Sequence, residues 1–368
     1  MDIKFNANEL PDLPAVGGQD TQYGLAGAVA GIISDELVIT GGSNFPNTFP
    51  WLGGTKTYYA DIYTLDLKQT DTGWKVLESK LKEPLAYPAC ISVSNSIYCV
   101  GGENKRGEIS SVIKIVIDNG KLQVLRQSNF PVAVSNSGIT SISNRIYVFG
   151  GVGETGAVST LYSTDISYDT LKWEKHADFP YAISHSVIVS QWDGKEYCLY
   201  VLGGRSKAGT QTDFFSAVWK YSPSNDKWSN VGNICSTNGK QVKLAAGPGA
   251  AVGKKQIFVF GGDDGILFNK IEDFINQISL ESDPKKKQAI IEAKNLHLSG
   301  YSGFRRDIFV FNTLTNKCSV VAQLPMPSQV TTTVIPHGNK YIIPNGEIRP
   351  GTRTPSISCI SIEESENN

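Results

Sequence analysis

Short apolar runs alternate along the chain with polar, glycine-rich stretches, and one unit of that alternation recurs. Five copies end in a double glycine: Leu37-Val38-Ile39-Thr40-Gly41-Gly42, Ile97-Tyr98-Cys99-Val100-Gly101-Gly102, Ile146-Tyr147-Val148-Phe149-Gly150-Gly151, Leu199-Tyr200-Val201-Leu202-Gly203-Gly204 and Ile257-Phe258-Val259-Phe260-Gly261-Gly262. A sixth, Tyr341-Ile342-Ile343-Pro344-Asn345-Gly346, replaces the first glycine by Asn, the next best residue at positive φ. Most copies stand about 50 to 60 residues apart, and the longer step from fifth to sixth carries an insertion. Each apolar run reads as a short strand. Each is followed by a loop and an alternating strand, as in Asp61-Ile62-Tyr63-Thr64-Leu65, Ala217-Val218-Trp219-Lys220-Tyr221 and Asp307-Ile308-Phe309-Val310-Phe311. A fourth strand then begins near Trp74, Trp173 or Trp228, with Cys318 and Leu122 near that place in two other units. These tryptophans read as packing between units rather than as ligand platforms.

The period is near that of kelch repeats. The expected fold is therefore all-β: a six-bladed kelch-type β-propeller occupying 1–368 as one domain. The last unit is incomplete. After Ser356-Ile357-Ser358-Cys359-Ile360 the chain runs out in Glu363-Glu364-Ser365-Glu366. Ile3-Lys4-Phe5 followed by Leu10-Pro11-Asp12-Leu13-Pro14 resembles Trp173-Glu174-Lys175 followed by Phe179-Pro180. Residues 2–8, approximately, are thus expected to complete the C-terminal blade, which ties the ends together and removes an exposed sheet edge. The insertion, about 264–303 in the fifth blade, has apolar residues at helical spacing in Asn269–Ile275 and Lys286–Ala293. Two short helices are expected on the propeller face that carries the post-glycine loops.

Composition narrows the partners. The 368 residues hold 34 basic and 35 acidic side chains, a net charge of −1, so no global field favours nucleic acid or an anionic membrane. No stretch approaches the ~18 apolar residues of a membrane span. Met1-Asp2-Ile3-Lys4-Phe5-Asn6 lacks the apolar core of a leader, so the expected compartment is cytoplasmic if Met1 is the true start, and periplasmic or secreted if a leader was removed. Cys90, Cys99, Cys198, Cys235, Cys318 and Cys359 include no C-x-x-C pair and read as free thiols. His176, His185, His297 and His337 lack ligand spacing, so no metal is expected. His185 falls on an expected inner strand, as a hydrogen-bonded structural residue or as one facing the channel.

Chemistry on a propeller gathers where the loops of all blades converge at one mouth of the channel. The post-glycine loops begin Ser43-Asn44-Phe45-Pro46, Glu103-Asn104-Lys105-Arg106, Val152-Gly153-Glu154, Arg205-Ser206-Lys207, Asp263-Asp264 and Glu347-Ile348-Arg349-Pro350-Gly351-Thr352-Arg353-Thr354. The sixth sets a carboxylate beside two guanidinium groups across a stiff Pro350-Gly351 turn. A carboxylate can move a proton, and arginine can hold an anion in a two-point clamp. By spacing alone, this loop is equally a catalytic pair or a turn of solvated charges.

The block Asn345-Gly346-Glu347-Ile348-Arg349-Pro350-Gly351-Thr352-Arg353-Thr354 resembles the N-G-E-x-[KR]-P-G-x-R-T signature of the kelch-type N-acetylneuraminate epimerases, the sialic acid mutarotases. Tyr23–Gly31, Gly41–Pro46, Gly101-Gly102-Glu103 and the helical insertion also resemble family segments, so the likeness covers nearly the whole chain. The blade order is rotated: the segment resembling Gly24 to Asp61 follows the Glu-Arg block in the family member compared, but opens this chain. Adjacent termini make such a circular permutation tolerable. Family members can be exported, whereas Met1-Asp2-Ile3-Lys4-Phe5-Asn6 does not read as the start of a leader.

The resemblance implies interconversion of the α and β anomers of N-acetylneuraminate by ring opening and reclosure, with a sugar acid as partner and no cofactor. It implies Glu347 as proton acceptor, and Arg353 as either the substrate's carboxylate clamp or the residue that steadies Glu347. Loop position adds Arg205, Arg349, Glu103 and Asn44 as substrate-binding candidates. The acid for the ring oxygen is left open among a Tyr, a water and Glu347 itself. The alternative is a non-catalytic kelch interaction module, which needs no carboxylate; no attached recruiting domain points that way. A copper radical oxidase would need converging His and Tyr ligands, and a sialidase would need repeated S-x-D-x-G-x-T-W boxes, neither of which is found.

Overall fold

The computed structural model describes residues 3–15 and 20–364; position 2 of the expected closing strand and the last residues of the acidic tail lie outside them. The double-glycine runs are second strands of six sheets arranged as a β-propeller. Blade 1 contains Ala26–Ile33, Glu36–Asn44, Asp61–Asp66 and Lys75–Lys80 in that order. Blades 2 to 5 repeat this meander, with inner strands Ala89–Val93, Gly138–Ile142, Val187–Trp192 and Gly249–Val252. Blade 6 has Ile335–His337, Lys340–Pro344 and Ile357–Glu364, and its outer strand is Ile3–Leu10, antiparallel to Ile357–Glu364. The first and last described strands thus lie on one blade, the geometry that makes a rotated blade order tolerable.

The apolar runs are explained by burial on both sides. Ile257 and Val259 join a core shared with blade 4, while Phe258 and Phe260 join one shared with blade 6. Six such clusters occur, one at each interface between neighbouring blades. Trp74, Trp173 and Trp228 pack at the margins of three of them.

The double glycines are explained by close approach. Gly102 N–H donates to the carbonyl of Val134 in the next blade at 2.7 Å, and a Cβ on Gly101 would lie 2.3 Å from that oxygen. Asn345 occupies the matching place in blade 6 at φ 52°, as its residue type allows.

A closed ring of backbone hydrogen bonds encircles the channel. Gly27, Tyr87, Asn136, His185, Ala246 and Thr331 each precede an inner strand or lie at its start, all with φ between 52° and 61°. Each N–H donates to the ring residue of the preceding blade: Gly27 to Thr331 at 2.7 Å, Tyr87 to Gly27 at 2.7 Å, Asn136 to Tyr87 at 2.9 Å, His185 to Asn136 at 3.3 Å, Ala246 to His185 at 2.7 Å, and Thr331 to Ala246 at 3.1 Å. On one side of this ring runs the channel, a cavity of about 440 Å³ lined by uncharged residues of the inner strands and of the ring itself.

On the other side lie the post-glycine loops. Most fold back as two-stranded ribbons, including Arg205–Ala208 with Gln211–Phe214 and Glu347–Arg349 with Thr352–Arg353. Blade 5 instead inserts α1 (Ile266–Leu280) and α2 (Pro284–Ser299). Asp283 caps α2, accepting from Lys285 and Lys286 N–H. Glu272, buried in α1, accepts from Thr212 N–H at 2.7 Å and Thr212 Oγ1 at 2.9 Å, and Lys207 Nζ lies 3.3 Å away. The insertion is thereby fastened to the blade 4 ribbon. No described helix is long and apolar enough to cross a membrane.

Candidate functional site at the propeller mouth

The residue after each double-glycine element bridges to the residue just before a ring position of its own blade: Glu103 to Ala86, Val152 to Ser135, Arg205 to Ser184, Asp263 to Ala245 and Glu347 to Val330. In blade 1, Ser43 pairs with Ala26. Six side chains are therefore held above the ring by backbone pairing, and four are ionisable: Glu103, Arg205, Asp263 and Glu347.

Glu347 is set by its own ribbon. Its Oε1 accepts Gly351 N–H at 2.6 Å and Arg353 Nη1–H at 3.3 Å. The Pro350-Gly351 turn makes both possible by folding Arg353 back opposite Glu347. Trp51 of the long blade 1 loop braces this turn, since a Cβ on Gly351 would lie 2.7 Å from its ring. The Arg353 side chain is 5% exposed and Glu347 17%. The Arg353 guanidinium lies 4.7 Å from the Phe45 ring centre. Burial alone would lower its pKa, but the charge of Glu347 and contact with Tyr87 outweigh that and hold it above its ordinary value. Among the described residues its buried Nε has no hydrogen-bond partner.

Arg205 has a different environment. It is part-buried, 4.6 Å from the ring centre of Phe268 on α1 and 5.8 Å from that of Phe214. Burial pulls its pKa down, while Asp263, Glu347 and Glu272 counter the shift from a distance. No carboxylate of the described residues lies within 4.0 Å of it. Its one side-chain hydrogen bond goes to His185 Nε2, at 3.1 Å. Because a guanidinium only donates, Nε2 must accept, which leaves Nδ1–H to donate to Ser184 Oγ at 2.9 Å. Burial and the nearby Arg205 push His185 well below its ordinary pKa, so it is neutral.

The other sequence candidates are distributed unevenly. Glu103 accepts from Lys56 Nζ at 2.8 Å and Tyr58 O–H at 2.7 Å. Lys56 in turn lies 5.1 Å from the Tyr87 ring centre. Burial and the Glu103 carboxylate push Tyr58 up to about 12. Arg349 is exposed and donates to Thr352 Oγ1 at 3.2 Å. Asn44 is only 2% exposed; its Nδ2 donates to Gly24 O at 2.9 Å and its Oδ1 accepts from Tyr59 at 2.8 Å. Its amide holds the blade 1 loop together and is not brought into the charged cluster. Glu347, Arg353, Arg205 and Asp263 are brought together, the last three around Glu347. Glu347, Arg353 and Arg205 do not line the channel cavity; Tyr87 and His185 do, at the ring that separates the two spaces.

Comparison with known proteins settles the family. The model for "N-acetylneuraminate epimerase" matches residues 2–124 and 128–368. The chain belongs to the N-acetylneuraminate epimerase family. Among curated relatives, the N-acetylneuraminate epimerase of Pasteurella multocida (strain Pm70) is 32% identical over 124 residues, 31% of this chain and 32% of that protein. That of Brucella melitensis biotype 1 is 32% identical over 122 residues, 31% of this chain and 30% of the relative. The match thus spans about a third of the length of these relatives. The solved structure titled "Structure of YjhT" superposes with a TM-score of 0.63 at 16% identity, covering 96% of this chain and 99% of that one, a likeness of fold.

Within this epimerase-family propeller, sequence reasoning passed over Lys56, Tyr58, Tyr87 and Phe268. Tyr87 reaches Arg353 and Phe268 reaches Arg205, while Lys56 and Tyr58 reach Glu103, all through tertiary contacts of loops or helix. Asp263 stood in a quoted loop without being ranked. Its position directly after Gly261-Gly262, matching Glu347 after Asn345-Gly346, was the available signal.

Proposed function

We infer that this chain is a sialic acid mutarotase: it interconverts the α and β anomers of N-acetylneuraminate, an isomerase reaction on a sugar acid. Family membership supports the substrate class. The observation that carries the chemistry is Glu347 Oε1, suspended between Gly351 N–H and Arg353 at the mouth. A carboxylate fixed in this way keeps Oε2 for a proton acceptor's work. N-acetylneuraminate is a cyclic hemiketal whose anomeric carbon bears a carboxylate. Glu347 takes the proton of the anomeric hydroxyl, the ring opens to a ketone, and addition to the other face gives the other anomer.

Two arginines divide the remaining work. Arg353, buried against Phe45 and bonded to Glu347, positions the base. Among the described residues Arg205 has no carboxylate partner, and a largely buried guanidinium in that state supports a role as clamp for the substrate's carboxylate. Phe268 on α1 roofs that clamp, which gives the insertion a part in enclosing the sugar acid.

The test is NMR of freshly released N-acetylneuraminate. Wild-type protein should accelerate equilibration of the anomers, and Glu347→Gln should lose at least ~100-fold of that acceleration. A surface change such as Lys121→Gln should leave it intact. Failure of the wild type to accelerate exchange would remove the mutarotase assignment and favour the interaction module.

A further inference from the structure

Ring opening needs two proton transfers. While Glu347 removes the anomeric proton, the ring oxygen must receive one. The pseudo-symmetry of the propeller shows where a second carrier stands. Asp263 occupies in blade 5 the place of Glu347 in blade 6: both follow the double-glycine element, and both bridge to the residue before a ring position. Asp263 is 7% exposed. Its Oδ1 accepts Gly265 N–H at 2.9 Å where α1 begins, and among the described residues Oδ2 takes no hydrogen bond or ion pair. Arg205 acts on it from the neighbouring blade on one side and Glu347 from the other. Building on the mutarotase assignment, we propose that Asp263 is the general acid that protonates the ring oxygen, working across the mouth from Glu347.

The electrostatics agree with that role. Burial pushes the Asp263 carboxyl up to about 6. Asp264 and Glu347 add to the rise, while Gly265 N–H and Arg205 oppose it. Tyr301, from the segment after α2, and Arg305, paired with Asp264 at 3.4 Å, also stand close by; burial, Asp264 and Asp263 push the Tyr301 pKa up while Arg305 opposes the rise. The two carboxyl groups share one mouth, Glu347 bonded to Arg353 and Asp263 buried beside Arg205, and that burial favours the protonated form of Asp263. An anionic substrate on Arg205 further favours the protonated form of Asp263.

The step balances without any other reactant. Glu347 takes the anomeric O–H proton, and the electrons of that bond form the ketone. The bond from the anomeric carbon to the ring oxygen breaks, and its electron pair takes the proton of Asp263. Rotation next to the ketone then presents its other face. The freed hydroxyl adds there and returns its proton to Asp263, while the anomeric oxygen recovers one from Glu347.

Asp263→Asn tests this, because Asn keeps an acceptor for Gly265 N–H and removes the titrating proton. Anomer exchange is followed by NMR between pH 5 and 8 for wild type, Asp263→Asn and Asp263→Glu. The wild-type kcat should fall as pH rises through and above about 6. Asp263→Asn should be slower by roughly 100-fold at the low-pH end and lose that falling limb. Asp263→Glu should recover the limb and part of the rate. If Asp263→Asn keeps both the wild-type rate and its limb, Asp263 only starts α1 and the proposal is wrong. If wild-type protein does not accelerate exchange at all, the mutarotase assignment fails first and takes this one with it. A carbon-13 titration of the assigned Asp263 carboxyl in wild-type protein decides the matter independently of any variant's folding. A midpoint in the ordinary range, ~3.9, overturns the proposal.

Discussion

Replacing Arg205 by Met separates the binding of a carboxylate from the stability of the fold. In the free protein the guanidinium makes one side-chain hydrogen bond, to neutral His185 at 3.1 Å, and one close aromatic contact, 4.6 Å from the centre of Phe268. The hydrogen bond is worth about 1 kcal/mol and the aromatic contact about 1 kcal/mol. Against these stands the cost of keeping a cation in a pocket with no carboxylate inside 4.0 Å, which Met removes while filling similar space. The two sides offset, so stability should change by about 1 kcal/mol or less, roughly 2 °C in Tm. Ligand binding has no such offset. A two-point contact between guanidinium and carboxylate contributes about 3 kcal/mol, a roughly 100-fold change in Kd. Isothermal titration with N-acetylneuraminate and thermal melts on the same samples read both quantities. Affinity within about threefold of wild type would refute the clamp, and a Tm loss beyond about 5 °C would show that Arg205 serves the fold instead.

Three further outcomes follow from the geometry. Gly101→Ala sets a Cβ 2.3 Å from Val134 O at φ 66°, whereas Gly120→Ala meets nothing within 4 Å at φ 72°; urea unfolding should show a loss of about 3 kcal/mol or more for the first and about 1 kcal/mol for the second. Equal losses would mean that the neighbouring blade gives way. His185 is held neutral by burial and Arg205, well below its ordinary pKa of 6.5, so its contribution is complete above that value and declines as pH falls below it toward the depressed folded value. His185→Asn puts in that place the residue that blade 3 carries at φ 52°, and it should flatten the decline in stability between pH 6.5 and 5, measured by denaturant titration; an unchanged slope would assign the decline to other groups. Glu272→Ala leaves Thr212 N–H without its buried acceptor, and should speed hydrogen exchange in α1 by roughly 10- to 100-fold while amides of blade 2 stay protected.

The repeat was legible because its causes are local to each copy. A strand buried on both faces must be apolar at every position, as Ile257–Phe260 are, and a chain that passes 2.3 Å from a carbonyl must lack a Cβ, as at Gly101. The Glu347–Arg353 pair was legible for the same kind of reason, since a Pro-Gly turn places residues six apart opposite each other. The helical insertion showed itself by its period, and its helices run from Ile266 to Leu280 and from Pro284 to Ser299.

What the sequence alone determined, then, was the repeat, the blade type and one charged turn, because each depends on neighbours in the chain. Tertiary structure decided which charges at the mouth are free to act. Arg205 and Glu103 looked alike as charged post-glycine residues, yet Glu103 is held by Lys56 and Tyr58 from blade 1 while Arg205, among the described residues, meets a neutral histidine and two phenylalanines and no carboxylate within 4.0 Å. Asn44 looked available and is consumed by Gly24 and Tyr59. The ring around the channel left no trace in the sequence at all. Gly27, Tyr87, Asn136, His185, Ala246 and Thr331 share one backbone conformation and no side-chain chemistry, because the hydrogen bond that imposes it comes from the neighbouring blade.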